Sequence, residues 1–493
     1  MKENKVKKYI LKTFYILALA IITLIFVSSV FSKIEFNDES FEEYVFYAFN
    51  GISSSDFSMT IYAVKKYGLL YLVILFILIA LTHKITKKEY RYYPVRKIIN
   101  HRGIFLIITT IFALALSLNN VSFFKYMNNN MLTSNLMRME YETVKNSDIE
   151  FSKKKNLVLI YIESLETTFL SKEHGGAWDN ELLPELYDLM NEEDSIYFAT
   201  DNDKRGTYNM YGTSWTTASI ISSTSGIPFK IPLEQSKFDK EHYLRKVITL
   251  GDILAYQGYN REVISGANTK FGALYDYFKI HGNYNIIDPD TVNKYDIKVN
   301  YDKKGSWGFN DKYIFDLAKD RLTYLANQEE PFNEILIGID SHPIDGFKTS
   351  YTIDKYDKQY ENVYATESIL LSEFIYWLRE QEFYKDTVVV IVGDHLCMQT
   401  TFMNGVNIED RGRFNLILNS EVTTQNTKNR GVASYDLYPT ILSAMGANIP
   451  NNQIGLGVDL FSNKKTLIEK YGKNKLNKEL EKKSLFYNDL MKE

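Results

Sequence analysis

The chain has 493 residues, enough for more than one folded unit, and a formal net charge of −4, a near balance that gives no electrostatic reason to expect nucleic acid as a partner. Its single cysteine, Cys397, excludes a disulfide framework and a cysteine zinc cluster. The seven histidines are few enough to weigh one by one, and no internal repeat is present.

Three long uncharged runs fill the first quarter: Thr13 to Ser32, Tyr67 to Thr82 and Gly103 to Phe124. A spanning helix needs about 20 apolar residues, so the runs predict membrane helices near 13–32, 66–83 and 103–124, the second lengthened by snorkelling of Lys66 and His83. The first run is too long, and too poor in a following small-x-small site, to read as a cleaved signal peptide. MKENKVKK before the first run is basic, as is the link holding Lys84, Lys87, Lys88, Arg91, Arg96, Lys97 and Arg102. The link between the first two runs carries Glu35, Asp38, Glu39, Glu42, Glu43 and Asp56. The Lys/Arg bias puts the N-terminus and the basic link in the cytoplasm and everything after about residue 125 outside. Phe41 to Tyr62, with its acidic residues, reads as an amphipathic surface segment and not as a fourth span.

After a polar linker over 125–150 the pattern changes. Short apolar runs, NLVLIYI (156–162), REVIS (261–265), EILIGI (334–339), TVVVIV (387–392) and FNLILN (414–419), alternate with helical stretches such as ENVYATESILLSEFIYWLREQ. Alternating strands and helices predict an α/β domain over 151–462 with a mostly parallel sheet covered by helices. Residues 463–493 read as a charged, helix-like tail, solvated or docked on the domain. Ligands of such sheets bind beyond the carboxyl ends of the strands. There NLVLIYI ends in Glu163, EILIGI in Asp340 with His342 two residues on, and TVVVIVG in Asp394 and His395. One acid at a strand end is often a helix cap. Three parallel strands ending this way bring carboxylates and a histidine to one edge, a donor set suited to a divalent cation.

That set lacks a nucleophile, and YGTSWTTASIISSTSGIP (211–228) offers one. Hydroxyl residues at the start of a helix meet N–H groups and a dipole that favour an anion. A hydroxyl activated there by a cation can attack phosphorus. The same residue types are ordinary N-caps, and spacing does not choose among Thr213, Ser214, Thr216 and Thr217.

The ordered set NLVLIYIESLE, GTSWTTASIISSTSGIP, SGANTKFGALYDYFKIHG, GSWGFNDKYIFD, IDSHPI, VVVIVGDH and SYDLYPTIL resembles the sulfatase-like phosphoglycerol transferases of the alkaline phosphatase superfamily. The likeness covers about residues 150–450 and is nearest to the enzymes that decorate periplasmic glucans; lipoteichoic acid synthases are more distant. It implies Glu163, Thr216, Asp394 and His395 as metal ligands, Thr216 also as the nucleophile, and Trp307 and His342 as substrate contacts. A basic residue that lipoteichoic-type relatives carry after the Trp is replaced here by Phe309 and Asn310. Cys397 stands in no C-x-P-x-R setting, so sulfate ester hydrolysis is not expected. The resemblance further implies one divalent ion, manganese first and magnesium or zinc otherwise. It implies phosphatidylglycerol or another anionic phospholipid as donor, a glycan or glycerol hydroxyl as acceptor, and a glycerophosphoryl-threonine intermediate. The setting would be a bacterial inner membrane, multi-pass, with the catalytic domain facing the periplasm or exterior. A phosphoethanolamine transferase, a phosphodiester hydrolase and a non-catalytic glycan-binding membrane protein are the rivals.

The other histidines read as bystanders: His174 and His242 at the surface, His281 at a helix end, His83 and His101 on the membrane's basic side. Lys204 and Arg205 read as solvated. The abundant tyrosines read as core and interface packing, and the tail as a solvated or docking helix.

Overall fold

The computed structural model describes residues 2–36, 40–50, 57–85, 102–200, 206–231, 243–295 and 307–491. The basic link over 86–101 with His101, the acidic positions Asp38, Glu39 and Asp56, Lys204 and Arg205, and His242 lie outside them. The chain forms two compact units, Met1–Tyr44 with Asp56–Asn128, and Val45–Ser55 with Asn129–Glu493.

The first unit holds α1 (Lys2–Glu35), the start of α2 (Phe41–Asn50), α3 (Phe57–Ile85) and α4 (Arg102–Asn120). Among the described residues, three stretches are long and apolar enough to cross a membrane: Tyr9–Glu35, Thr60–His83 and Gly103–Asn120. The second reaches back past its uncharged run to Thr60; within it Lys66 pairs with the buried Glu35 at 2.8 Å, which also accepts from the hydroxyls of Tyr62 and Tyr67. The third stops at Asn120 and not at Phe124; Ser122, at φ 59°, turns the chain into a separate helix, Phe123–Asn130. At 10 residues α2 is too short to span.

The second unit is built on a seven-stranded sheet of β1 (Asn156–Ile162), β2 (Ser195–Ile196), β3 (Asn260–Ser265), β4 (Asn285–Ile287), β5 (Phe332–Ile337), β6 (Thr387–Gly393) and β7 (Asn415–Leu418). The spatial order is β2-β7-β6-β1-β5-β3-β4. β6, β1, β5, β3 and β4 run parallel. At one edge β7 pairs antiparallel with β6 and β2 antiparallel with β7, so the FNLILN run alone reverses direction in the sheet. The sheet is mixed and mostly parallel, with helices on both faces.

Strand periodicity explains the unbroken apolar runs. Leu157, Leu159 and Tyr161 enter the core on one face, and Val158, Ile160 and Ile162 the core on the other. β6 divides likewise, Val388, Val390 and Val392 against Val389 and Ile391. The C-terminal tail packs onto the unit: its short helices bury Leu476, Leu480 and Tyr487. Lys230 Nζ donates to the carbonyls of Leu480 and Lys482 at 2.7 and 2.6 Å.

Candidate active site

The pairing register sets the site. β1 and β6 are aligned so that Ile162 faces Gly393; the next residues, Glu163 and Asp394, leave the sheet side by side. His395 follows, and ligand atoms of Glu163, Asp394 and His395 lie within 4.8 Å of one another, all three residues buried. Asp394 Oδ1 accepts the N–H groups of Ser164 and His395, each at 2.7 Å. Its Oδ2 lies 3.4 Å from His395 Nε2, and Glu163 Oε1 lies 3.1 Å from the same nitrogen. Ser341 Oγ donates to the Glu163 carbonyl at 2.7 Å, tying the loop after β5 to the same edge.

His395 Nδ1 donates to the Leu396 carbonyl at 2.9 Å. That bond fixes the tautomer and turns the lone pair of Nε2 toward two carboxylates, an arrangement that repels unless a positive centre stands between them. Burial works to lower the His395 pKa, but Asp394 and Glu163 outweigh it and raise it to about 10. Burial raises Asp394 to about 6, helped by Glu163. Against its own burial, Glu163 is held down at about 2 by His395 and His342. The field that draws a proton here draws a cation as strongly. Two carboxylates and one imidazole, buried and convergent, fit a divalent ion.

Thr216 is the first residue of α5 (Thr216–Ser225), with Trp215 as N-cap. Its Oγ1 lies 3.3 Å from Glu163 Oε2 and 3.4 Å from His395 Nε2. Two of its rivals point elsewhere: Thr213 Oγ1 donates to Met210 O at 2.8 Å, and Thr217 Oγ1 to Gly272 O at 3.2 Å. The unpaired N–H groups of the first turn open on the same space, favouring an anion beside the hydroxyl.

Trp307 and His342 also come together, with ring centroids 4.8 Å apart; His342 Nδ1 donates to the Pro343 carbonyl at 2.7 Å. Phe309 is buried, and Asn310 caps the helix α6 (Asp311–Ala326) by accepting from Tyr313 N. His174 is more than a surface residue: it is half-buried, pairs with Glu181 at 2.7 Å and stacks on Tyr187. His281 is the C-cap residue of its helix, its backbone N–H donating to Tyr277 O, while its ring is engaged by Asp252 Oδ2 and the Tyr243 carbonyl.

Three features escape the sequence reading. Arg411 forks onto Glu166 and also donates to the Cys397 carbonyl, while Glu166 Oε1 accepts from Cys397 N. This buried pair clamps the loop after Glu163 to the loop after His395. Arg413, 1 % exposed, donates through Nη1 to the carbonyls of Asp394 (2.8 Å) and Thr213 (3.3 Å) and to Ser219 Oγ (3.1 Å). Its Nη2 donates to Tyr208 O at 2.8 Å. One guanidinium thus fastens the end of β6 to both flanks of Thr216. Behind His342, Asp311, Asp340 and Glu367, the last on α7 (Gln359–Arg379), form a second buried carboxyl cluster. Among the described residues Asp340 Oδ1 and Glu367 Oε2 find no hydrogen-bond partner, and burial pushes both residues well above the usual carboxylate range. The available signal was two arginines before a buried strand, and a glutamate on the apolar face of α7.

Residues 155–447 match the sulfatase family. Phosphoglycerol transferase I of Salmonella choleraesuis is 30% identical over 311 residues, which are 62% of this chain. The chain spans only 38% of that relative's length. An alkaline phosphatase superfamily protein from Vibrio parahaemolyticus aligns with a TM-score of 0.52 at 21% identity, covering 66% of this chain and 77% of its own. The lipoteichoic acid synthase LtaP from Listeria monocytogenes gives 0.50 at 16% identity over 67% and 82%. The lipooligosaccharide phosphoethanolamine transferase A from Neisseria meningitidis, an integral membrane protein, gives 0.53 at 14% over 87% and 84%. At these identities the three structures speak to the fold.

Proposed function

The chain belongs to the sulfatase family, and from that premise we propose that it is a membrane-anchored phosphoglycerol transferase with Thr216 as its nucleophile. The observation that carries the reading is Thr216 Oγ1 at 3.3 Å from Glu163 Oε2 and 3.4 Å from His395 Nε2, at the mouth of a helix N-terminus. The named relative from Salmonella supports the choice of headgroup. The donor is phosphatidylglycerol or another anionic phospholipid, and the acceptor a hydroxyl of a glycan or of glycerol. The setting is a multi-pass protein of a bacterial inner membrane, its catalytic unit facing the periplasm or exterior.

Glu163, Asp394, His395 and Thr216 would hold one divalent ion, manganese in the first place, with magnesium and zinc as alternatives for this mixed O/N set. When bound, the ion supplies Lewis acidity, lowering the proton affinity of the hydroxyl oxygen and offsetting charge on the phosphodiester. The residues do the rest. Glu163 Oε2, at 3.3 Å, is the acceptor within reach of the Thr216 proton, since the one lone pair of His395, on Nε2, is taken up in holding the ion. Trp307 and His342 orient the glycerophosphoryl group, and the N–H groups of the first turn of α5 meet its oxygens. Thr216 Oγ forms a bond to phosphorus as the bond to diacylglycerol breaks, and diacylglycerol leaves with the proton. An acceptor hydroxyl then attacks the glycerophosphoryl-threonine, taking the phosphoryl group and returning a proton to Thr216. Two inversions give net retention at phosphorus. Sharing the bilayer with its donor raises the effective donor concentration.

The test is diacylglycerol release from phosphatidylglycerol labelled in its acyl chains. Thr216→Ala should abolish release, and intact-mass analysis of the wild type should show a glycerophosphoryl adduct. Full activity in Thr216→Ala, with loss in Thr213→Ala or Thr217→Ala, would overturn the assignment. Release of free glycerol phosphate would instead point to a hydrolase. Turnover of phosphatidylethanolamine alone would point to the ethanolamine headgroup.

A further inference from the structure

A file of aromatic rings leads away from the phosphate end of the site. Trp307, against His342, packs on Phe271 with centroids 5.2 Å apart, and Phe271 stacks on Tyr47 at 5.2 Å and 24°. All four residues are half-buried, so the file forms a shelf that keeps part of its ring surface exposed. Its base is rigid. Phe46, 1 % exposed, meets Phe229 edge-on at 5.5 Å and seats the segment that carries Tyr47. Beside Phe271, Gly272 sits at φ +65°, and its carbonyl accepts from Thr217 Oγ1 on the helix of Thr216. The shelf therefore moves with the nucleophile.

We propose that the shelf of Tyr47 and Phe271, continuing from Trp307, seats the glycerol backbone and the first acyl carbons of the donor lipid, with its phosphate at His342 and Thr216. The proposal rests on the phosphoglycerol-transfer reading and adds where the apolar half of that donor lies. Two observations favour a lipid over a sugar. The file starts at the phosphate-facing pair Trp307 and His342 and runs unbroken for three ring contacts, matching a molecule whose apolar part continues directly from its phosphate. Its far residue, Tyr47, comes from the connection between Tyr9–Glu35 and Thr60–His83, two stretches apolar enough to cross a bilayer.

The experiment uses the full chain in nanodiscs. Phosphatidylglycerol with a diazirine on its acyl chain close to the ester is photolysed, and the labelled peptides are mapped. Labelling within 44–50 or 268–275, competed by plain phosphatidylglycerol, is expected; labelling confined to the spanning helices overturns the proposal. In parallel, kcat/KM for dioleoyl-phosphatidylglycerol is divided by that for the dihexanoyl lipid. Tyr47→Ala should lower this ratio about tenfold through KM, as expected for lost apolar contact, and Tyr47→Phe should restore it. An unchanged ratio, or a rise in KM for the glycan acceptor instead, overturns the proposal. A wild type that releases no diacylglycerol defeats the parent reading, whereas the cross-linking map still decides the shelf.

Discussion

Arg413 offers a sharp test of how the site is held together. The side chain is fully enclosed, yet it donates to three backbone carbonyls, of Asp394, Thr213 and Tyr208, and to Ser219 Oγ. Burial lowers its pKa to about 10, with Asp394 and Glu166 opposing the fall, so it stays charged at neutral pH. Arg413→Met keeps most of the volume and removes every donor. Each buried acceptor left without a partner costs about 1–3 kcal/mol. These losses overlap because the acceptors share one donor group, and the net expectation is about 4 kcal/mol of stability. Arg413→Lys keeps the charge but lacks the planar fork and reaches only some of the acceptors. Thr213 then loosens beside Thr216 while Asp394 loosens beside Glu163. A displacement of about 1 Å at reacting groups costs about a hundredfold in rate, so kcat in Arg413→Lys should fall by about that factor with KM little changed. Urea denaturation gives the first quantity and steady-state diacylglycerol release the second. An Arg413→Met protein within about 1 kcal/mol of wild type and with unaltered kcat would refute the reasoning.

Three further outcomes are expected. Burial raises Asp311 to about 6, with Glu163 adding to the rise, and puts Asp340 and Glu367 well above their usual range. The folded state therefore binds more protons than the unfolded chain. The stability from this cluster is full below about pH 4 and is lost as pH rises through 6 and beyond, by about 1.4 kcal/mol per pH unit per proton. Denaturation midpoints from pH 5 to 9 should fall more steeply in wild type than in Glu367→Gln; equal slopes would sink the idea. Removing divalent ions should lower the melting temperature, and returning manganese at a hundredfold excess over its Kd should restore about 2.7 kcal/mol. Asp394→Asn should blunt that response, and calorimetric titration reads both. Gly272→Ala should be costly in stability and in turnover, because a Cβ would stand 2.4 Å from Thr217 Oγ1 at a backbone φ of +65°. A wild-type melting curve and rate in that variant would contradict the tie between the Phe271 loop and α5.

Local sequence determined what depends on local physics. Uncharged runs of bilayer length can only be spanning or buried helices, and TVVVIV with NLVLIYI reads as strands enclosed on both faces because neither has a polar side to turn to water. The polar residues after those strands marked the edge where a ligand belongs. Tertiary structure alone decided the rest. The pairing of Ile162 with Gly393 makes Glu163 and Asp394 neighbours. Thr216 stands apart from Thr213 and Thr217 only because α5 begins at it and turns its hydroxyl to Glu163 and His395. Arg413, the Asp311–Asp340–Glu367 cluster and the approach of Tyr47 to Phe271 join positions tens to hundreds of residues apart. Composition and periodicity record how each segment meets water and its own backbone; they carry no record of which distant segment will cover it.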